Sequence, residues 1–331
     1  MDPILSFLAP GLSFLAIPAL ASYTTSLNLV FFYLTWSTLL LSHSELKVEA
    51  IGTLAVRLIF YLAPAYFFLL FDAAVPSIAA ATKEHGELGI ATAQAGRRWR
   101  NITLVSTGNL ALGIVLQLAV EILLTRVLHV KSALKVTTTL PFPYALAKDL
   151  LKAFLAREIL AYCLHRFALH HDKSPLRLRH RSFYHSLEAP FSLTAHYDHP
   201  LAYLVRVWLP TYLPAVIFRF HVLTYFAFLA LVSLEELFVY SGYAVLPTGL
   251  VLGGMARRHE RHIMAGVDGN YGAYGLIDLL AGTGLGNHDL IDDVREEAEK
   301  RDLEGRGKIK AKEVQKRVRK LRDRAQRASQ E

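Results

Sequence analysis

Long apolar runs separated by short charged segments dominate the first 240 residues. Nearly uncharged stretches occupy 3–21, 27–42, 54–76, 102–124, 201–218 and 220–240, and a more interrupted one occupies 144–164. Because a helix needs about 20 apolar residues to cross the hydrocarbon core of a bilayer, several of these runs are long enough to span it. The pattern predicts an all-α fold, a polytopic transmembrane helical bundle. The run at 3–21 has no Lys or Arg ahead of it, so we interpret it as a retained membrane helix and not as a cleaved signal peptide.

The distribution of basic residues predicts which side of the membrane each loop occupies. The loop at 81–101 carries four Lys/Arg residues, whereas the N-terminal segment carries none. Lys and Arg favour the cytosolic side. We therefore expect the N-terminus in the lumen, 81–101 in the cytosol and 125–143 back in the lumen, although three basic residues in 125–143 oppose this path.

The composition limits the chemistry of any bound metal. The chain is 53% hydrophobic and has one cysteine, Cys163. A single cysteine excludes an intrachain disulfide and a cysteine-rich metal site, which leaves imidazole and carboxylate as the strong ligands. Such ligands suit iron better than a soft metal.

The formal net charge of +8 comes from the C-terminal end. From Gly305 onward the chain has eleven Lys/Arg residues against three acidic ones, and an acidic stretch at 289–304 precedes them. We interpret this segment as a charged C-terminal helix or tail, with attraction to anionic lipid as the next alternative. Nucleic acid is the least favoured partner because the segment has no aromatic residue on which a base could stack. The predicted organisation is N-terminal membrane helices at 1–143, a histidine-rich region at 144–288 and the tail at 289–331.

Histidine is concentrated in two regions. Nine of the fourteen histidines lie at 165–199 and 259–262, next to apolar sequence. In the first group, Glu158, Tyr162 and His165 share one helical face, so the carboxylate and the hydroxyl are candidate catalytic or ligand-supporting groups. His170 lies five residues after His165, about 140° around a regular helix, so both rings can bind one centre only if the helix loosens between them.

The remaining clustered histidines occur in pairs. Spacings of three residues, as in His196 with His199 and His259 with His262, place two imidazoles on one helical face. We expect the nitrogens to converge on two metals in a histidine-rich helical cap. The predicted metal ligands are His165, His170, His180, His185, His196, His199, His259 and His262.

These residues resemble the fatty acid hydroxylase and sterol desaturase superfamily over about 145–285. His165 to His170 looks like its first histidine box and His180 to His185 like its second. The third is similar to His259–His262 followed by Asn270-Tyr271-Gly272 and by the run from Asp278 to Thr283. That last element is the most specific part of the resemblance.

Three positions depart from the family pattern. Tyr184 and Ile263 each stand where one of two adjacent histidines is expected, and Tyr240 stands at the histidine position of a further motif. His196 is a candidate replacement for one lost ligand. Glu236 and Asp198 are further candidates for replacement metal ligands. The candidate catalytic residues are Glu158, Tyr162, Glu236 and Tyr240.

The resemblance implies an integral membrane enzyme with two iron ions that uses O2 as co-substrate to hydroxylate or desaturate a sterol or fatty-acyl chain. It also implies electrons from NAD(P)H delivered through a separate reductase or b-type cytochrome. The implied location is the endoplasmic reticulum, with the histidines facing the cytosol. The missing ligands leave a second hypothesis open, a non-catalytic membrane scaffold that retains the fold. A transporter with histidine proton relays is less favoured because the histidines lie at helix ends and not in mid-span.

Overall fold

The helical architecture is seen in a computed structural model that describes residues 23–93, 98–243, 252–266 and 268–285. These residues form helices and two isolated β-bridges, with no strand among them. In chain order the helices are α1 (Tyr23–Ser42), α2 (Glu45–Ala74), α3 (Pro76–Thr82), α4 (Arg98–Val127), α5 (Pro143–Leu164), α6 (Arg177–Phe183), α7 (Pro200–Ile217), α8 (Val222–Tyr240), α9 (Gly254–Ala265) and α10 (Leu276–Ala281). The predicted all-α fold is confirmed.

Four helices are long and apolar enough to cross a membrane: α2, α4, α7 and α8. Only 22% of the apolar window is buried in α2 and in α4, against 56% in α8. The outer helices therefore face lipid and α8 runs through the interior, as expected of an integral membrane protein. The shorter α1 is also apolar. The predicted helix at 3–21 and the charged tail lie outside the described residues.

Prolines explain the irregular turns within two of these helices. The π-helical turn Leu58–Leu62 lies just before Pro64 in α2, and the turn Leu204–Trp208 lies just before Pro210 in α7. Proline lacks the backbone donor that a regular helix needs, so the preceding turn widens to accommodate its ring. Both wide turns bring charged or polar side chains toward the interior, among them Tyr61 and Arg206.

Several polar side chains inside the spans are paired with one another across helices. The Gln117 amide donates to the Glu49 carboxylate (2.8 Å) and accepts from the Tyr225 hydroxyl (2.7 Å). A second pair joins the Arg57 guanidinium to the Glu236 carboxylate at 2.5 Å. Because hydrocarbon offers no water to satisfy these groups, they find partners on neighbouring helices. The pairs connect α2, α4 and α8.

The chain between α6 and α7 is irregular and almost entirely buried. It includes the 3-10 turns Tyr184–Ser186 and Ser192–His196. The Asn109 amide, from α4, donates to the carbonyls of His196 and Asp198 (both 2.9 Å), and the Tyr61 hydroxyl donates to the Ser192 carbonyl (3.0 Å). Buried backbone without regular structure requires such partners. Membrane-spanning helices thus fix the segment that carries His185 and Asp198 toward the site.

One hydrophobic cluster joins the two predicted regions on either side of residue 143. It contains Tyr61 and Ile102 together with Tyr184, Tyr240 and Ile263. The N-terminal helices therefore share a core with the histidine-rich region, while the boundary at 143 stays a prediction.

A buried ion pair fixes the connection that follows α2. The Lys83 ammonium contacts the Asp72 carboxylate at 2.5 Å and donates to the Gly89 carbonyl at 2.9 Å. The Tyr243 hydroxyl donates to the other Asp72 oxygen at 2.5 Å. Burial lowers the pKa of Lys83, and the contact with Asp72 opposes that shift.

We expect Lys83→Met to destabilise the fold by about 3–5 kcal/mol, because it leaves a buried carboxylate without its cation. The double variant Asp72→Leu/Lys83→Met should recover much of the loss. The control is Lys152→Ala, which removes a partly exposed pair with Asp149 and should cost at most about 1 kcal/mol. Unfolding of detergent-purified protein measures the stability of all three variants. A Lys83→Met variant as stable as the wild type would contradict the prediction.

Candidate metal centre

Five imidazole rings meet where α5, α6 and α9 come together. His165 and His170 lie at the two ends of a π-helical turn, His165–Leu169, that continues α5. His180 is on α6, His185 is on the turn that follows, and His262 is on α9.

The π-helical turn resolves the spacing of the first pair. The His170 amide donates to the carbonyl of His165, five residues back, at 3.1 Å. A wide turn places a residue five positions along nearly above the first, whereas a regular helix would point the two rings apart. Their ring centroids are 5.0 Å apart. The condition for both rings to reach one centre, a loosened helix between His165 and His170, is therefore met.

The Nε2 atoms of the five rings point at one another. The distances are 3.2 Å between His165 and His180, 3.1 Å between His165 and His262, and 3.2 Å between His170 and His185. One nitrogen from each of His165, His170, His180 and His262 lies within 4.8 Å of the others. The rings therefore enclose a single point.

The opposite nitrogen of each ring, Nδ1, faces an acceptor that fixes its orientation. Nδ1 of His165 is 3.2 Å from the Tyr271 carbonyl, Nδ1 of His262 is 2.6 Å from the Gly269 carbonyl, and Nδ1 of His185 is 3.4 Å from the Ile263 carbonyl. The other two face carboxylates. Nδ1 of His180 is 2.8 Å from Asp198, and Nδ1 of His170 is 2.7 Å from Asp268.

These acceptors assign the proton of each ring to Nδ1, because a carbonyl or carboxylate oxygen can only accept a hydrogen bond. Each Nε2 then carries a lone pair directed at the other rings. Lone pairs about 3 Å apart repel one another unless a cation lies between them. In metal sites, the histidine nitrogen that does not bind the ion typically donates to an oxygen acceptor in this way.

Burial disfavours the protonated form of four of these rings, and metal binding requires neutral imidazoles. It lowers the pKa of His170 to about 4 and that of His185 to about 3. The pKa values of His165 and His262 fall well below the ordinary range, first because of burial and then because of the neighbouring imidazoles.

The arrangement fits one transition-metal ion. Two nitrogens bound to one ion at about 2.1 Å are about 3.0 Å apart in adjacent positions and about 4.2 Å apart in opposite positions. The observed Nε2 distances of 3.1–3.2 Å match the spacing of adjacent ligands. The largest separation among the nitrogens of the four rings, at most 4.8 Å, is close to the spacing of opposite ligands. An all-imidazole set suits iron, zinc, copper or nickel.

A tightly bonded loop supplies two of the Nδ1 acceptors. Asn270 has a left-handed backbone (φ 52°), and its side chain donates to the Arg258 carbonyl (3.1 Å) and accepts from the Leu285 amide (2.9 Å). Asp278 accepts from the amides of Tyr271 (2.9 Å) and Gly272 (2.6 Å). The loop thereby presents the Gly269 and Tyr271 carbonyls to the two rings.

Three of the predicted metal-binding histidines lie outside this five-ring cluster. His196 is fully buried between the Glu236 carboxylate (3.1 Å) and the Tyr203 hydroxyl (3.2 Å). His199 caps the start of α7, where its ring accepts from the Leu201 amide. His259 faces Tyr240, with ring centroids 5.4 Å apart, and its Nδ1 is 2.9 Å from the Met255 carbonyl.

Two of the predicted catalytic residues support the loop. Glu158 accepts from the amides of Tyr274 (2.7 Å) and Ile277 (3.0 Å). The Tyr162 hydroxyl contacts Arg166 and Thr283. These contacts are with the polypeptide around the rings.

The other two, Glu236 and Tyr240, line a cavity of about 50 Å³ beside the cluster. His165, His262 and His259 form one part of its wall, and Arg157, Arg206, Tyr184 and Glu235 form another. One carboxylate oxygen of Glu236, Oε1, is buried with no partner among the described residues. The cavity therefore offers polar contacts next to the Nε2 atoms.

Sequence reasoning missed Asp268 and Arg206. Asp268 is one acidic residue in a glycine-containing loop and gives no pattern signal. Arg206 is detectable, since it is a lone arginine within an apolar run, and such residues are costly in a membrane unless they have a role. Its side chain donates to Asp198 at 3.0 Å and lies 3.9 Å from the ring centre of Tyr184.

Asn270→Ala should weaken metal binding by about 10–100-fold without removing a ligand, because the carbonyls that orient His165 and His262 lose their anchor. Asn270→Gly separates the loss of the side-chain hydrogen bonds from backbone strain, since glycine lacks those bonds but tolerates the left-handed backbone. Competition with a chelator measures the affinity. If both variants bind metal like the wild type, the loop does not orient the rings.

The comparisons with known proteins agree with this geometry. Residues 150–283 match the family model described as fatty acid hydroxylase, a range that includes all five rings and the loop after α9. No solved structure matches the chain significantly. As the histidine pattern predicted, the chain carries a fatty acid hydroxylase domain at residues 150–283, consistent with the fatty acid hydroxylase and sterol desaturase superfamily.

Proposed function

We propose that this protein is a membrane-embedded, O2-dependent iron oxidoreductase that hydroxylates or desaturates a lipid. The observation that carries the proposal is the cluster of five imidazoles with converging Nε2 atoms inside a fatty acid hydroxylase domain. The adjoining helices that can span a membrane give such a centre direct access to lipid.

Iron would be held by His165, His170, His180, His185 and His262. Bound iron supplies the redox chemistry needed to oxidise an unactivated carbon with O2, which amino acid side chains cannot perform alone. The residues around it hold the rings in place and keep bulk water away, because four of the five rings are buried and the fifth, His185, is partly buried.

The cavity beside His165 and His262 is where we place the reacting carbon. At about 50 Å³ it admits O2 and a small part of a larger molecule. The Tyr240 hydroxyl is 2.7 Å from the Tyr184 hydroxyl, so Tyr240 is positioned to contribute hydrogen bonding at the cavity wall. Glu236 would contribute its free oxygen there.

The substrate class follows from the setting and the family. A sterol or a fatty-acyl chain would enter sideways from the bilayer, beside the aromatic and leucine-rich helices α7 and α8. Hydroxylation and desaturation begin with removal of hydrogen from the same kind of carbon, so the proposal includes both.

Electrons would come from NAD(P)H through a separate reductase or b-type cytochrome. We place the centre on the cytosolic side of the endoplasmic reticulum membrane, where such donors are available. The basic loop at 81–101 and the basic tail support this orientation, since positive residues favour the cytosol.

A non-catalytic scaffold is the second candidate. It is favoured by the three positions at which the family's histidines are replaced, because Tyr184, Tyr240 and Ile263 are all buried in the hydrophobic cluster. A scaffold that has lost its metal would form no oxidised lipid product.

Product formation is tested by expressing the chain in membranes with a reductase system under ¹⁸O2 and profiling the lipids. We expect a hydroxylated lipid that carries ¹⁸O, or a lipid with an added double bond. His170→Ala should reduce this product to background because it removes a ligand. The matched control is His171→Ala, the exposed neighbouring residue, which should change the rate by less than about twofold. Metal-loaded wild-type protein that leaves every lipid unchanged would favour the scaffold.

A further inference from the structure

We propose that the centre holds a single metal ion, bound by His165, His170, His180, His185 and His262, and that no second ion binds in the adjoining cavity. This inference rests on the metal binding assumed in the proposed function, and it departs from the pair of ions that the resemblance implies. It concerns the number of ions and is independent of turnover.

The first argument is the geometry of the five rings. The three shortest Nε2 distances are 3.1–3.2 Å, and they connect His165 with His180, His165 with His262, and His170 with His185. Rings of His262 and His185 also lie 4.6 Å apart, which joins the two groups. Ligands divided between two ions would form two separate groups, whereas these surround one point.

The second argument is that two of the predicted histidine ligands outside the cluster, His196 and His199, are engaged elsewhere. Both nitrogens of His196 have partners, Glu236 and Tyr203. His199 accepts a backbone hydrogen bond at the start of α7. Of the predicted histidine ligands, that leaves His259 in the cavity wall, and one imidazole alone falls short of the three protein ligands that even an open metal site normally has.

The third argument concerns the positions where the family pattern has further histidines. The hydroxyls of Tyr184 and Tyr240 bond to each other at 2.7 Å, and Ile263 is fully buried among apolar side chains. The Arg206 guanidinium covers the Tyr184 ring at 3.9 Å and reaches the Tyr240 hydroxyl at 3.4 Å. A cationic side chain thus contacts both tyrosines that replace histidines.

The fourth argument is the charge around the cavity. Its two carboxylates are already paired with guanidinium groups, Glu236 with Arg57 (2.5 Å) and Glu235 with Arg157 (2.8 Å). A second divalent ion would lie beside the Arg157 and Arg206 guanidinium groups of the cavity wall, and the charge of each wall carboxylate is already balanced by an arginine. The arginines therefore make a second site unfavourable.

Metal counting tests the inference on the full chain, purified in detergent and loaded anaerobically with ferrous iron. We expect about one iron per chain in the wild type. The variants His196→Gln, His199→Ala and His259→Ala should each keep that value, whereas His185→Ala should reduce it by more than half. Size-exclusion chromatography restricts the count to folded protein.

A spectroscopic measurement on the wild type gives an answer that needs no variant. After oxidation, isolated ferric ions give an electron paramagnetic resonance signal that accounts for all the iron, whereas a coupled ferric pair is silent. About two irons per chain, or a silent oxidised sample, would overturn the single-ion inference and leave the proposed function standing. No bound iron would overturn both. One iron with no lipid product would support the inference and count against the proposed function.

Discussion

The organisation of the site depends on converging lone pairs. Each of five imidazoles has its Nδ1 facing an oxygen acceptor, so its unprotonated Nε2 faces the other rings at distances as short as 3.1 Å. Without a cation this arrangement is repulsive, and a bound cation would turn the repulsion into attraction. Much of the surrounding structure serves to keep the five acceptors in place.

The membrane helices contribute to the centre through polar contacts. Asn109 on α4 holds the backbone around Asp198, which in turn holds His180. Arg57 on α2 and Arg206 on α7 pair with the Glu236 and Asp198 carboxylates and balance their charge. The same helices that face lipid outside therefore determine, on their inner faces, which side chains can bind metal.

The fold was largely predictable because hydrophobic run length dictates membrane helices. At the site, the five-residue step from His165 to His170 required a loosened turn for both rings to reach one centre, and the π-helical turn meets that condition. Sequence spacing could not separate His185, which joins the cluster, from His196 and His199, which do not. That difference depends on the irregular buried segment before α7, whose path is fixed by contacts with distant helices and not by local periodicity.

Sequence spacing also could not assign the roles of the carboxylates. Glu158 shares a helical face with His165, yet its oxygens accept amides of the loop that follows α9. Asp198 and Asp268 act through Nδ1 of His180 and His170. Spacing identifies residues near a centre, while ligand and supporting partner are distinguished only by the direction of each side chain.

The central claim is that the converging imidazoles jointly bind metal, and X-ray absorption at the metal edge of iron-loaded protein tests it most directly. The account predicts a nitrogen-dominated first shell at about 2.1 Å with the outer-shell scattering of imidazole. A first shell dominated by oxygen, without imidazole scattering, would contradict it.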